Sequence, residues 1–260
     1  MKVKLLVSGV ALAMLSFSTA SMAATGKAHE KHDAHAAPHW TYSGPTGAAK
    51  WGDMQADFAT CKLGKEQSPI DIKGAAKADL APIEFGYKQS AAEVVNNGHT
   101  IQVNLKDGGM IKLGSGNYKL LQFHFHTPSE EKVNGKAYPM VAHLVHKSDA
   151  GELAVVAVLF KNGKKNRALT EVFSTMPTKA DAAADLPGGL NAADFLPEKQ
   201  GYYAFVGSLT TPPCSEGVRW QVLKDPVELS QGQLNGFKRL YPMNARPVQP
   251  LNGRKLQESN

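Results

Sequence analysis

The chain has 260 residues, 42% of them hydrophobic and 20% charged, with a formal net charge of +6. That length and apolar content suit a single domain with a substantial core. The basicity is mild and no Lys/Arg cluster is interleaved with aromatics, so composition points away from a nucleic-acid partner.

Residues 1–23 read as a secretory signal peptide. Lys2 and Lys4 precede an apolar run from Leu5 to about Leu15, and small residues end at Ser21-Met22-Ala23, with the cut expected after Ala23. The run is too short for a bilayer span, which needs about 20 residues. No cysteine lies near the cut to carry a lipid, and the longest later apolar run, Leu153 to Phe160, is only strand-sized. An exported protein without a membrane anchor is expected, in the periplasm or otherwise secreted. Loss of Lys2 and Lys4 takes the charge from +6 to +4. Residues 24–39 carry His29, His32, His35 and His39, spaced so that one helical face could gather them around a metal. No apolar stripe would hold such a helix in place, so this segment is expected to be a flexible, solvated leader, with the domain proper over residues 40–260. Cys61 and Cys214 are an even pair in an exported chain, and a disulfide between them is expected.

From Glu93 onward the pattern is mostly that of strands. Ile101, Val103 and Leu105 alternate with Gln102 and Asn104. Further strands are predicted over 119–127, 138–147, 152–161, 202–209 and 218–223. Asn134-Gly135 signals a type I′ hairpin. Two short helices are predicted, one over 166–176 with Leu169, Val172 and Phe173 inward. The other starts at Ser230 as N-cap and carries Leu234, Phe237 and Leu240. Strands dominate without regular βα alternation. The expected fold is mainly β (α+β): a single domain with a central, twisted, mostly antiparallel sheet and short peripheral helices.

The chemistry concentrates in Gln122-Phe123-His124-Phe125-His126. On a strand, Gln122, His124 and His126 share one face while Phe123 and Phe125 take the other. A His-x-His alone is as often two satisfied histidines on a sheet. A turn at Asn134-Gly135, however, folds the chain back so that His143 can join them. His146 has the opposite parity and should face away. Three imidazoles without a fourth protein ligand describe a catalytic zinc site with an open position.

In order and spacing the chain resembles the alpha-class carbonic anhydrases over nearly all of residues 24–260. The stretches that carry the resemblance are Gln67 to Ile72, Asn96-Asn97-Gly98-His99, Gln122 to His126, Ala142 to His146, Gly207 to Cys214 and Arg246 to Pro250. The resemblance implies reversible hydration of carbon dioxide to bicarbonate and a proton by zinc-bound hydroxide, with Zn2+ held by His124, His126 and His143. It implies that Thr210 orients the hydroxide while passing its own proton to Glu130. A hydroxyl has one proton to give, so Thr210 must then act as an acceptor. It further implies a carbon dioxide pocket of Val145, Val155, Leu209, Trp220 and Thr211. His99 matches the proton shuttle, a role suited to a pKa near working pH. Tyr42 matches a residue that orders pocket water, and Gln122 the acceptor that orients His124.

Two other readings were open. A cupin also has His-x-His with a nearby glutamate, but no Pro-x-Gly precedes His143. A non-catalytic exported zinc-binding protein would fit the leader histidines, but relatives that have lost activity typically lack a ligand, and all three are present. Oligomeric state is not legible, and a homodimer stays open. Three positions depart from the family pattern: Val141 stands where glutamate is usual, Glu131 where histidine is usual, and Phe205 where tyrosine is usual. Val141 cannot accept a hydrogen bond from His143, so Glu131 is expected to do so, with Phe205 filling the neighbouring space. The alternative is that Glu131 faces solvent and water or a backbone carbonyl serves His143.

Overall fold

The computed structural model describes residues 39–260. The signal peptide and the leader histidines His29, His32 and His35 lie outside the described residues; His39 lies within them.

Before Glu93 the chain makes only short pieces: the helices α1 (Trp51–Met54) and α2 (Thr60–Leu63), and the strands β1 (Asp71–Ile72), β2 (Ala76–Ala78) and β3 (Glu84–Tyr87). An antiparallel run follows, with β4 (Ala92–Asn96), β5 (Ile101–Leu105), β6 (Gly109–Leu113) and β7 (Gly116–His126). The strands β8 (Lys132–Val133) and β9 (Lys136–Ala137) flank Asn134 and Gly135. These two sit at φ of 51° and 80°, the left-handed pair that a type I′ turn requires. The chain returns as β10 (Met140–Lys147) and β11 (Leu153–Asn162), then α3 (Arg167–Thr175) and β12 (Ala182–Asp185). It ends with β13 (Tyr202–Ser208), β14 (Glu216–Leu223), β15 (Val227–Leu229), α4 (Gln231–Lys238) and β16 (Gln257–Ser259).

The main sheet runs β12-β4-β5-β7-β10-β11-β14-β13-β16-β2. Along this path the pairs are antiparallel except β11–β14 and β16–β2, which are parallel, and off it β15 also pairs parallel with β11. The expected mainly-β, mostly antiparallel architecture is what the chain adopts.

Strand parity divides the central strands between two buried layers. Met140, Ala142 and Leu144 of β10 and Val156, Val158 and Phe160 of β11 face the larger core. Val141 and Val145, with Val155 and Leu159, face a second cluster around Trp220. Both faces are covered, so β10 reads as an almost unbroken buried run rather than an alternating one. The two longer helices close the larger core. Asn166 caps α3 by accepting from the Leu169 N–H at 3.0 Å, and Ser230 opens α4 with a capping box to Gln233. Their apolar faces bring Phe173 and Phe237 onto Phe125, ring centroids 5.3 and 6.0 Å away. Truncating Phe125 to alanine would cost about 3–5 kcal/mol at a site this enclosed.

Cys61 of α2 and Cys214 are bridged, with Cα atoms 5.0 Å apart. Both pack on the buried Trp51 in a third, smaller cluster.

Candidate active site

The hairpin at Asn134-Gly135 lays β10 antiparallel on β7, so His143 stands directly opposite His124 and Val141 opposite His126. One ring nitrogen from each of His124, His126 and His143 lies within 4.8 Å of the others. His146 faces the other layer, where its Nε2 is 2.8 Å from the Tyr87 hydroxyl. It takes no part in the cluster.

The remaining ring nitrogens identify the ligand atoms. His124 Nδ1 is 2.9 Å from Gln122 Oε1, His126 Nδ1 is 2.7 Å from the Asn244 carbonyl oxygen, and His143 Nε2 is 2.9 Å from Glu131 Oε1. These oxygens only accept, so each imidazole donates there and keeps a lone pair on its other nitrogen. The lone pairs are Nε2 of His124, Nε2 of His126 and Nδ1 of His143. Nε2 of His126 is buried with no protein partner, which suits a metal-ligand nitrogen. Burial, reinforced by His143, pushes His124 down to about 3 and His126 well below the ordinary imidazole value. Neutral rings are what a metal needs. At His143 burial also pulls downward, but the charge and hydrogen bond of Glu131, with the charge of Glu130, carry it above the ordinary value. The three nitrogens, without a fourth side chain, fit an open tetrahedral zinc site.

Glu130 is 1% exposed. Its Oε1 accepts from the Arg246 backbone N–H at 2.7 Å. Its Oε2 lies 3.5 Å from His126 Nε2 and 3.8 Å from His143 Nδ1, beside two of the ligand atoms. Burial raises this carboxyl to about 7, against opposing pulls from His143, Thr210 and Arg246. Glu130 Oε2 is buried with no hydrogen-bond partner among the described residues, and Thr210 lines the pocket over the histidines.

A cavity of about 220 Å³ opens over the three histidines. Val145, Val155, Leu209 and Trp220 form its apolar lining, and Asn97, Thr100, Gln102 and Gln122 its polar lining. Trp40, Tyr42, His99, Thr210 and Thr211 complete it. The pocket is therefore mainly apolar with a smaller hydrogen-bonding side, and the three histidines line it.

Residues 46–260 match the family described as eukaryotic-type carbonic anhydrase. The chain is 42% identical to a carbonic anhydrase of Pectobacterium atrosepticum over 217 residues, covering 83% of this chain and 89% of that one. It is 41% identical to one from Neisseria gonorrhoeae over 249 residues, covering 95% and 94% of the two chains. The alpha-carbonic anhydrase of Thermovibrio ammonificans, solved with the inhibitor sulfanilamide, superposes with a TM-score of 0.83 at 48% identity, covering 84% of this chain and 98% of that one. This chain belongs to the eukaryotic-type carbonic anhydrase family. It is a zinc-dependent carbonic anhydrase that interconverts carbon dioxide and bicarbonate. The cupin and the non-catalytic zinc-binding readings are set aside.

Several carbonic anhydrase site residues carry no signal of their own in the sequence. Asn244 serves His126 through a backbone carbonyl, which any residue type could provide. Its side chain adds bonds to Thr127 N at 2.8 Å and to the Phe125 carbonyl at 2.9 Å. Arg246, 2% exposed, ties Glu130 to the disulfide region by donating from Nη1 to the Ser68 carbonyl at 2.7 Å and from Nη2 to the Cys61 carbonyl at 2.9 Å. Its arginine type was visible in the Arg246 to Pro250 stretch, but its partners were not. At His99 the surroundings differ from expectation. Burial, then the charge of His39, lowers its pKa to about 4 despite an upward pull from Asp181, well away from the near-neutral value assumed for a shuttle. Burial, then Glu130, raises Tyr42 well above the ordinary phenol value, so it stays a neutral donor at the pocket wall.

Proposed function

We propose that carbon dioxide hydration here is divided between an orienting pair, an apolar rest site and a proton exit. Zinc on the three imidazoles supplies the Lewis acidity that lets water act as a nucleophile near neutral pH. Thr210 gives its single proton towards Glu130 and is left as an acceptor facing the nucleophile, which fixes a lone pair towards the substrate. Glu130 is held for this by the Arg246 N–H. Val145, Val155, Leu209 and Trp220 make an uncharged surface suited to a nonpolar substrate, with Thr211 at its edge. Tyr42 orders the pocket water, Gln122 holds the His124 ring, and His99 passes the released proton outward.

The observation that carries this reading is the convergence of Nε2 of His124, Nε2 of His126 and Nδ1 of His143 beside Glu130 Oε2. The test is stopped-flow carbon dioxide hydration by residues 24–260, with and without a zinc chelator. Chelation should abolish activity and zinc should restore it, and full activity in metal-free protein would refute the mechanism. Sulfanilamide, found on the Thermovibrio ammonificans relative, should inhibit.

The same reading puts the mature protein in the periplasm. No helix among the described residues is long and apolar enough to cross a membrane, and the Cys61–Cys214 bond persists best in an oxidising compartment. N-terminal sequencing of a periplasmic extract should show Ala24 first.

A further inference from the structure

We infer that Glu131 is the positioning residue of His143, supplying from the loop ahead of β8 the charged acceptor that holds this ring on the metal. The inference rests on His143 being a zinc ligand.

The three ligand rings have unlike partners. His124 donates to a neutral amide oxygen and His126 to a neutral backbone carbonyl, while His143 donates to a carboxylate. The contact is 2.9 Å, with Glu131 0% and His143 1% exposed. A hydrogen bond to a buried, ionised oxygen is roughly twice as strong as a neutral one and little screened by solvent. Of the three ligand rings, His143 is therefore the one held by an acid side chain.

No other acid takes that place among the described residues. Val141 lies two residues before His143 on the same face of β10, fully buried and unable to accept. Phe205 stacks parallel to Trp220 with centroids 6.0 Å apart, and Trp220 meets the His143 ring edge-on at 4.9 Å. One side of the His143 ring is thus walled by the Trp220 indole, while its Nδ1 faces the metal cluster.

Glu131 is itself held on both flanks. Its carbonyl accepts from Ser129 Oγ at 2.7 Å, and Ser129 Oγ accepts from the Tyr138 N–H at 2.9 Å. On the other side the Lys132 N–H donates to the Ile70 carbonyl at 3.2 Å, where β8 pairs with β1. The backbone on either side of Glu131 is thus anchored, and the carboxylate itself bonds to His143 through Oε1 while its Oε2 is buried without a partner among the described residues.

The experiment measures zinc affinity by chelator competition and the visible spectrum of the cobalt-substituted protein. Glu131→Ala should weaken zinc by roughly 10–100-fold. Glu131→Gln, which keeps an acceptor without the charge, should fall between and shift the cobalt bands. Val141→Glu added to Glu131→Ala should recover part of the lost affinity by offering a carboxylate from β10. Wild-type affinity with unchanged cobalt bands in the Glu131 variants would overturn the inference, as would a loss of metal-free stability with no change in affinity. Should Glu131→Ala not fold, Glu131→Gln decides by the same two readouts. Tight zinc binding retained in His143→Ala would instead refute the ligand assignment itself.

Discussion

The His99 imidazole lies flat against the Trp40 indole, ring centroids 3.6 Å apart and 5° from parallel, and it also stacks with His39 at 5.0 Å and 19°. Half-buried in this stack, with a pKa near 4, the ring is unprotonated at neutral pH. It is free to take a proton but holds one weakly. His99→Ala should slow maximal turnover in dilute, non-shuttling buffer and be rescued by added imidazole, because only proton export is affected. Unchanged turnover in that buffer would remove His99 from the exit path.

His39 contributes to that low value through the repulsion of a second cationic ring. His39→Ala should therefore raise the His99 pKa, as read by NMR titration of the ring protons. A titration curve that does not move would show that burial alone sets it.

Each of His124→Ala, His126→Ala and His143→Ala should lose zinc together with hydration activity. About one zinc per chain is expected in the unmodified protein by metal analysis. Retention of both metal and activity in any of the three would strike that residue from the ligand set.

The bond between Cys61 and Cys214 spans 153 positions of sequence. Loop-closure entropy makes such a link worth up to about 5 kcal/mol, with measured values often lower. Cys214 follows Thr210 by four residues, and its carbonyl accepts from Gln67 Nε2 at 3.0 Å. Reduction or Cys61→Ser should lower the melting temperature and, more mildly, the activity. Two free thiols in denatured, unreduced protein would contradict the bridge.

His146 is buried in the layer opposite the metal, and burial lowers its pKa to about 3 from an ordinary 6.5. Between those values the unfolded chain binds a proton that the native ring refuses. The stabilisation is complete above about pH 6.5 and drains away as pH falls towards 3, by up to about 5 kcal/mol. In metal-free protein, unfolding free energy measured against pH should fall more steeply on acidification for wild type than for His146→Gln, by up to one proton. Parallel curves would show that His146 does not carry this dependence.

The sequence by itself determined the metal set, since that depends on local rules. Parity on one strand places His124 with His126, one two-residue turn brings back His143, and an odd offset turns His146 away. The Ser230 cap of α4 was legible for the same reason: its partner Gln233 lies three residues on. The resemblance to carbonic anhydrases rested on these stretches and extended the reading to Thr210 and Glu130.

Tertiary structure alone decided what lies across space. Leu121, 43% exposed, is passed over where β7 bulges against β10: Val145 pairs with Gln122, and His146 with Leu120. The bulge lets Tyr118 and Leu120 share the larger core with Phe123 and Phe125 despite their opposite parity, while the histidines keep the metal face. The carbonyl of Asn244, the reach of Arg246 and the stack on His99 likewise join residues more than 50 positions apart. Such contacts follow from how the strands close around the pocket. Residue type and spacing carry no record of a backbone oxygen or of how deeply a ring is buried, and those are what set the pKa values and fix the ligand rings.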